Sequence, residues 1–279
     1  MPLSSQIKKA AGPCAAAAFA VLLALHLLLS GCSSYRAEPS FEAAEMSLSE
    51  GRYQEAIEGY NRVISDFPGS SAAAKSQYRI ASIYNRHLKD REKAMEAYSA
   101  LRYMYPASPE ARLATADMAG IYSREGDHKK AVEEFQTLHD GTPAERLKYR
   151  RLIAAEYMKM NDLRQALIEY DELAASEDLP PELMPRILFQ IASTYYIGGQ
   201  AEEAARRFDD IIRRYPEADV AIEARLGKGN ALAEAGHLPE AIEVLKGLEG
   251  EYPNGQALRT RIEWLEKRLR EGPQEESGR

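Results

Sequence analysis

The chain has 279 residues, 45% hydrophobic and 28% charged, with a formal net charge of −7. That composition can bury a core of some size. The acidic balance excludes a general nucleic-acid binder, which needs a basic footprint.

The first element in chain order is a leader. Met1–Lys9 holds Lys8 and Lys9 and no acid, and 10–29 is almost wholly apolar. A basic start, an apolar run and small residues at the cut read as a secretory signal over 1–31. The ending Leu29-Ser30-Gly31-Cys32 resembles the bacterial lipobox. That resemblance implies cleavage before Cys32, a covalent lipid on its thiol and, with Ser33 next, sorting to the outer membrane. A plain transmembrane anchor is the alternative reading of the apolar run. Without 1–31 the basic side chains number 34 against 43 acids, a net charge of −9. Cys14 leaves with the leader and Cys32 takes the lipid, so no disulfide or cysteine-metal site remains. Residues 32–40 are expected to be the lipidated cysteine and a polar tether; eight residues reach at most about 28 Å.

From 41 to 253 one pattern recurs. A Gly or polar turn precedes an Ala, an aromatic or Leu follows four residues on, and a Pro usually comes later. The markers are Ala56/Tyr60, Ala94/Tyr98, Ala131/Phe135, Ala166/Tyr170, Ala204/Phe208 and Ala241/Leu245, with alanine spacings of 38, 37, 35, 38 and 37. A period of that size signals stacked helix pairs. In the third unit Leu113, Ala116, Ala119 and Tyr122 are expected on the buried face of its first helix. Gly126-Asp127 turns the chain, and Pro143 is expected to stop the second helix. Asn161 replaces Gly in the fourth turn, and the second turn is longer, His87–Glu92. Pro180 comes late in the fourth unit. The segment 254–271 reads as a capping helix with Leu258, Ile262, Leu265 and Leu269 in one stripe, and 272–279 as a disordered tail.

This pattern resembles the tetratricopeptide repeat (TPR). The resemblance implies an all-α fold: a TPR-type α-solenoid of about six helix-turn-helix repeats with a C-terminal capping helix, folding as one coupled array.

No residue set argues for catalysis, a metal or a cofactor beyond the lipid on Cys32. Gly227-Lys228-Gly229 begins like a phosphate loop but lacks its strand-turn-helix context. The histidines His87, His128, His139 and His237 have no ligand spacing, and Asp209-Asp210 and Glu133-Glu134 read as solvated surface. Tyr60, Tyr84, Tyr98, Tyr122, Tyr157, Tyr170 and Tyr195 fall in register as core. By the TPR frame, Tyr78, Phe189 and Tyr196 face the concave groove with Lys75, Arg86, Arg124, Lys148, Arg151, Lys159 and Arg186. Such a basic stripe suits an acidic or carboxylate-bearing peptide; the plainer reading is long side chains solvating a helix face.

The lipobox, the Tyr-Pro endings at 105–106, 215–216 and 252–253, and GRYQEAIEGYNRVISDFP from Gly51 are together similar to the BamD-type lipoproteins. That likeness implies a non-catalytic scaffold on the periplasmic face of the outer membrane, its groove docking envelope proteins in β-barrel assembly. An adaptor role in a cell-wall/Tol–Pal, secretion or pilus-assembly complex is the alternative. No nucleic acid or small-molecule substrate is expected.

Overall fold

The computed structural model describes residues 37–272; the leader, Cys32 and the tail from 273 lie outside it. The chain divides into two compact units between Ile121 and Tyr122. The unbroken sequence period predicts a single array and carries no mark of this division.

In the first unit, α1 (37–49), α2 (Tyr53–Asp66), α3 (Ser71–Ile83) and α4 (Arg91–Met104) pack in order, and α5 (Pro109–Arg124) begins. Residues 37–40, expected as tether, are already helix. Ala37, Phe41 and Ala44 recur at four and three residues and are all buried, so an apolar stripe overrides the polar composition around it. The second turn is not lengthened either. The helix ending at Ile83 continues through one wider π turn, Tyr84–Leu88, which absorbs the extra residue.

In α5 the buried face is Ala111, Ala114, Thr115, Met118, Ala119 and Ile121. Leu113 is 47% exposed, so the expected stripe is rotated. The small residues turn inward because they allow close helix approach, and Leu113 is left outside.

The second unit continues with α6 (His128–Gln136), α7 (Pro143–Lys159), α8 (Leu163–Ala174), a 3-10 turn (Pro181–Leu183) and α9 (Met184–Ile197). Then come α10 (Ala201–Arg214), α11 (Ala221–Glu234), α12 (Leu238–Lys246) and α13 (Gly255–Glu271). Pro143 does not stop α6, which ends at Gln136. It opens α7, where its missing N–H costs nothing, behind a reciprocal cap between Thr142 and Glu145.

In chain order the helices thus alternate as first and second members of six helix-turn-helix units, from α1 and α2 to α11 and α12, with α13 following. All six marker alanines are 0% exposed, and their partners Tyr60, Tyr98, Phe135, Tyr170, Phe208 and Leu245 are buried. Each pair turns through one residue of positive φ: Gly51, Lys89, Gly126, Asn161, Gly199 and Gly236. Side-chain caps follow at Asp90, Asp127 and Asp162. The other tyrosines expected in the core, Tyr84, Tyr122, Tyr157 and Tyr195, are only half-buried. Lys93, Lys130 and Arg207 lie over the rings of Tyr84, Tyr122 and Tyr195 at 5.3–5.5 Å.

Gly227 and Gly229 are packing residues inside α11. A Cβ on Gly227 would lie 2.6 Å from Phe208 Cζ, and one on Gly229 2.5 Å from Leu245 Cδ2. On α13, Leu258, Ile262 and Leu265 are buried, whereas Leu269 is 45% exposed. The stripe stops one turn short of its expected length.

Candidate functional site

The basic side chains read from the repeat frame have different fates. In the first unit, Lys75 lies over the Phe41 ring at 5.9 Å. Arg86 pairs with Asp117 at 3.3 Å. The same carboxylate accepts the hydroxyls of Tyr78 at 2.9 Å and Tyr98 at 2.8 Å. Burial, and then Asp117 itself, pushes the Tyr78 phenol up to about 12. Tyr78 and Arg86 therefore serve an internal network that ties α3 to α5 and are not free for a ligand.

In the second unit, Lys159 is similarly committed. Its Nζ donates to Glu156 Oε1 at 2.8 Å and to Ser123 Oγ at 2.9 Å. The Glu156 side chain is only 3% exposed and also accepts from Ser123 at 2.8 Å and from His128 Nδ1 at 2.7 Å. Burial pushes the Glu156 carboxyl up, but the hydrogen bonds from Lys159, Ser123 and His128 outweigh it and hold the carboxyl below the usual range. A serine, a histidine and an acid do converge here, unannounced by any spacing. Both partners bond the carboxylate and not each other, so no base activates the serine. Tyr196 donates to Glu234 at 3.1 Å, and Arg124 sits at the exposed C-terminal end of α5.

Four of the expected residues do come together. Lys148, Arg151, Arg186 and Phe189 line a cavity of about 660 Å³ formed by α7, α8, α9 and the connection between the last two. Leu147, Leu152, Leu173, Leu179, Leu183, Ile187 and Val220 supply an apolar wall, and no lining residue is an Asp or Glu. Arg186 is bound at one edge by Asp219, Nε to Oδ2 2.7 Å. Lys148 lies over the Tyr149 ring at 5.1 Å. Neither Lys148 nor Arg151 has a carboxylate partner among the described residues. Phe189 packs on Phe208 with ring centroids 5.6 Å apart, which fixes one wall to the core.

The space has a sequence cause. The α8–α9 connection, nine residues at 175–183, is the longest between helices of the array. Its Leu179, Pro180 and Leu183 form part of the lining. The late Pro180 was its only sign in the sequence; the apolar wall residues carried none. A cavity with two unpaired cations, one edge-bound arginine and apolar walls is built for an acidic group next to an apolar one.

Two tetratricopeptide-repeat family models match the chain, one over 189–255 and the other over 27–70 and 75–108. No curated protein matches the sequence. Among solved structures, a tetratricopeptide repeat protein from Parabacteroides merdae is similar at TM-score 0.56 and 18% identity, over 83% of this chain and 87% of that one. The type IV pilus biogenesis factor PilW is similar at TM-score 0.51 and 17% identity, over 81% and 98%. Pseudomonas aeruginosa PilF is similar at TM-score 0.51 and 13% identity, over 82% and 99%. At these identities the likeness is one of fold.

Proposed function

The chain belongs to the tetratricopeptide-repeat proteins, and from that we propose that it is a non-catalytic, lipid-anchored scaffold for protein partners of the bacterial envelope. The observation that carries this reading is the cavity at α7–α9, three cations and no acid in a chain of net charge −7. An extended partner segment with a carboxylate beside an apolar side chain matches it. The arginine fork grips the acid and the leucine wall takes the side chain.

The anchor rests on 1–32, whose leader and Leu-Ser-Gly-Cys ending support a lipid at Cys32 on the periplasmic face of the outer membrane. Cys32→Ala is expected to move the protein from the membrane fraction to the soluble fraction on fractionation. Retention in the membrane would remove the lipid from this account.

The partner complex we favour is the β-barrel assembly machine, on the likeness of the repeats and their Tyr-Pro endings to BamD-type lipoproteins. A pilus-assembly adaptor is the second reading, and the fold shared with PilW and PilF over nearly their whole lengths is its support. A photocrosslinker at Gln190, exposed on the cavity rim, separates the two when the tagged protein is purified from intact envelopes. Recovery of the barrel insertase supports the first reading, and of pilus components the second. The double variant Lys148→Glu, Arg151→Glu is expected to weaken that recovery about tenfold, a loss of about 1.4 kcal/mol. Both side chains are exposed, so thermal stability should be nearly unchanged. Undiminished crosslinking in this variant would rule the cavity out as the docking point.

A further inference from the structure

A second surface, on α13, is built differently from the cavity. Trp264 is the only tryptophan of the chain, and it is 48% exposed. It stands on a face adjacent to the buried Leu258–Ile262–Leu265 stripe, with Arg261 three residues before it and Arg268 four after. Both guanidinium groups lie over its ring, at 4.9 Å and 5.6 Å from the centroid.

We propose that this Arg261–Trp264–Arg268 face docks a carboxylate-rich segment of a polypeptide partner. The proposal rests on the scaffold reading only in taking the partner to be a protein. It does not use the cavity.

The argument is one of charge and preorganisation. From 255 to 271 the helix carries five basic and three acidic side chains, a local positive excess in an acidic chain. Two of those acids are taken, Glu266 by Lys246 at 2.6 Å and Glu271 by Lys267 at 3.7 Å. Glu263, two residues after Arg261 and five before Arg268, is not at a helical spacing that brings it beside either. Arg261 and Arg268 have no carboxylate partner among the described residues. Contact with the indole restrains each guanidinium, a group whose N–H edge can grip a carboxylate with two bonds. Part of the ordering cost is thus met before binding. Beside the indole lies a shallow depression lined by Asn254, Gln256, Ala257 and Thr260, polar or small and again without an acid. Tryptophan and arginine at the centre of a face are the residues on which binding energy concentrates. An anionic membrane is the poorer occupant, because the rest of the chain is acidic and would be repelled from it.

Trp264 reports on its own surface. The mature protein, without the lipid, is titrated with a synthetic eight-residue peptide of Glu and Leu lacking aromatics, with a Gln-for-Glu peptide as control. A saturating change in tryptophan emission with the acidic peptide alone, weakened by salt, is expected. Arg261→Gln with Arg268→Gln should weaken it roughly tenfold, from the loss of two charge-assisted contacts. Since both are surface changes, circular dichroism should confirm the fold of the variant. The cavity variant Lys148→Glu, Arg151→Glu should leave this titration unaltered, so either site can fail without the other.

Three results would overturn the proposal. One is no response to the acidic peptide. Another is a response to phosphatidylglycerol vesicles only. The third is an emission change on deleting 273–279 in the absence of peptide, which would make the chain's own Glu275–Glu276 tail the occupant.

Discussion

Phe208→Ala is expected to lower the stability of the second unit by about 3–5 kcal/mol, the usual cost of emptying a large aromatic site. The ring is buried, lies against Phe189, and fills the space left by the missing Cβ of Gly227. Trp264 sits in the same unit, so its emission in a urea titration reads the unfolding that matters. The packing also predicts a coupling. Gly227→Ala in the native background should destabilise by about 1–3 kcal/mol, because its methyl would overlap the ring. In the Phe208→Ala background the same change should be neutral or stabilising, since the clash is gone and alanine favours helix over glycine by about 1 kcal/mol. Additive effects of the two substitutions would show that the ring and the glycine do not share this space. Because Phe208 backs Phe189, the single variant should also loosen the cavity wall and reduce crosslinking from Gln190.

Glu156→Gln is expected to cost about 3 kcal/mol at neutral pH, the lower end for breaking a buried, multiply bonded carboxylate. The lower end applies because Lys159 is 48% exposed and its ammonium can hydrate once unpaired. The pH dependence has a definite sign. The folded carboxyl is held below its unfolded value, so its contribution is fully present above the unfolded carboxylate pKa of about 4.3. It is lost as pH falls through the depressed folded value. The stability gap between native protein and variant should therefore be widest at pH 7 and narrow in acid. Urea midpoints measured from pH 7 downward check this. A gap of the same size at the acid end would mean that Glu156 acts through shape alone and not through its charge.

Much of the fold was legible in the residues. The alanines spaced by 35 to 38 residues are all fully buried, and the same period places the positive-φ turns, including those built on Lys89 and Asn161. These features are local: a left-handed turn, a small residue and an aromatic four places on meet within one or two helices. The candidate site was legible only in part. The repeat frame points to Lys148, Arg151, Arg186 and Phe189, which share one cavity, and equally to Arg86 and Lys159, which are held by Asp117 and Glu156. Glu156 stands three residues back on the helix of Lys159, within local reach, whereas Asp117 stands 31 residues on from Arg86 and meets it only through packing.

The residues by themselves thus determined the all-α repeat, its pairing of helices and its turns, because each depends on backbone preference and on side chains one or two helical turns apart. Tertiary structure alone decided three other matters. It rotated the buried face of α5 away from Leu113, since the neighbouring helices set how near a backbone must come. It opened the space between α7 and α9, because a nine-residue connection supplied apolar wall where other repeats close up. It also left the ring of Trp264 half exposed, with no carboxylate partner for Arg261 or Arg268 among the described residues, although the spacing of these arginines three before and four after the tryptophan is local. Charges at long separation find or miss one another only after the helices have packed.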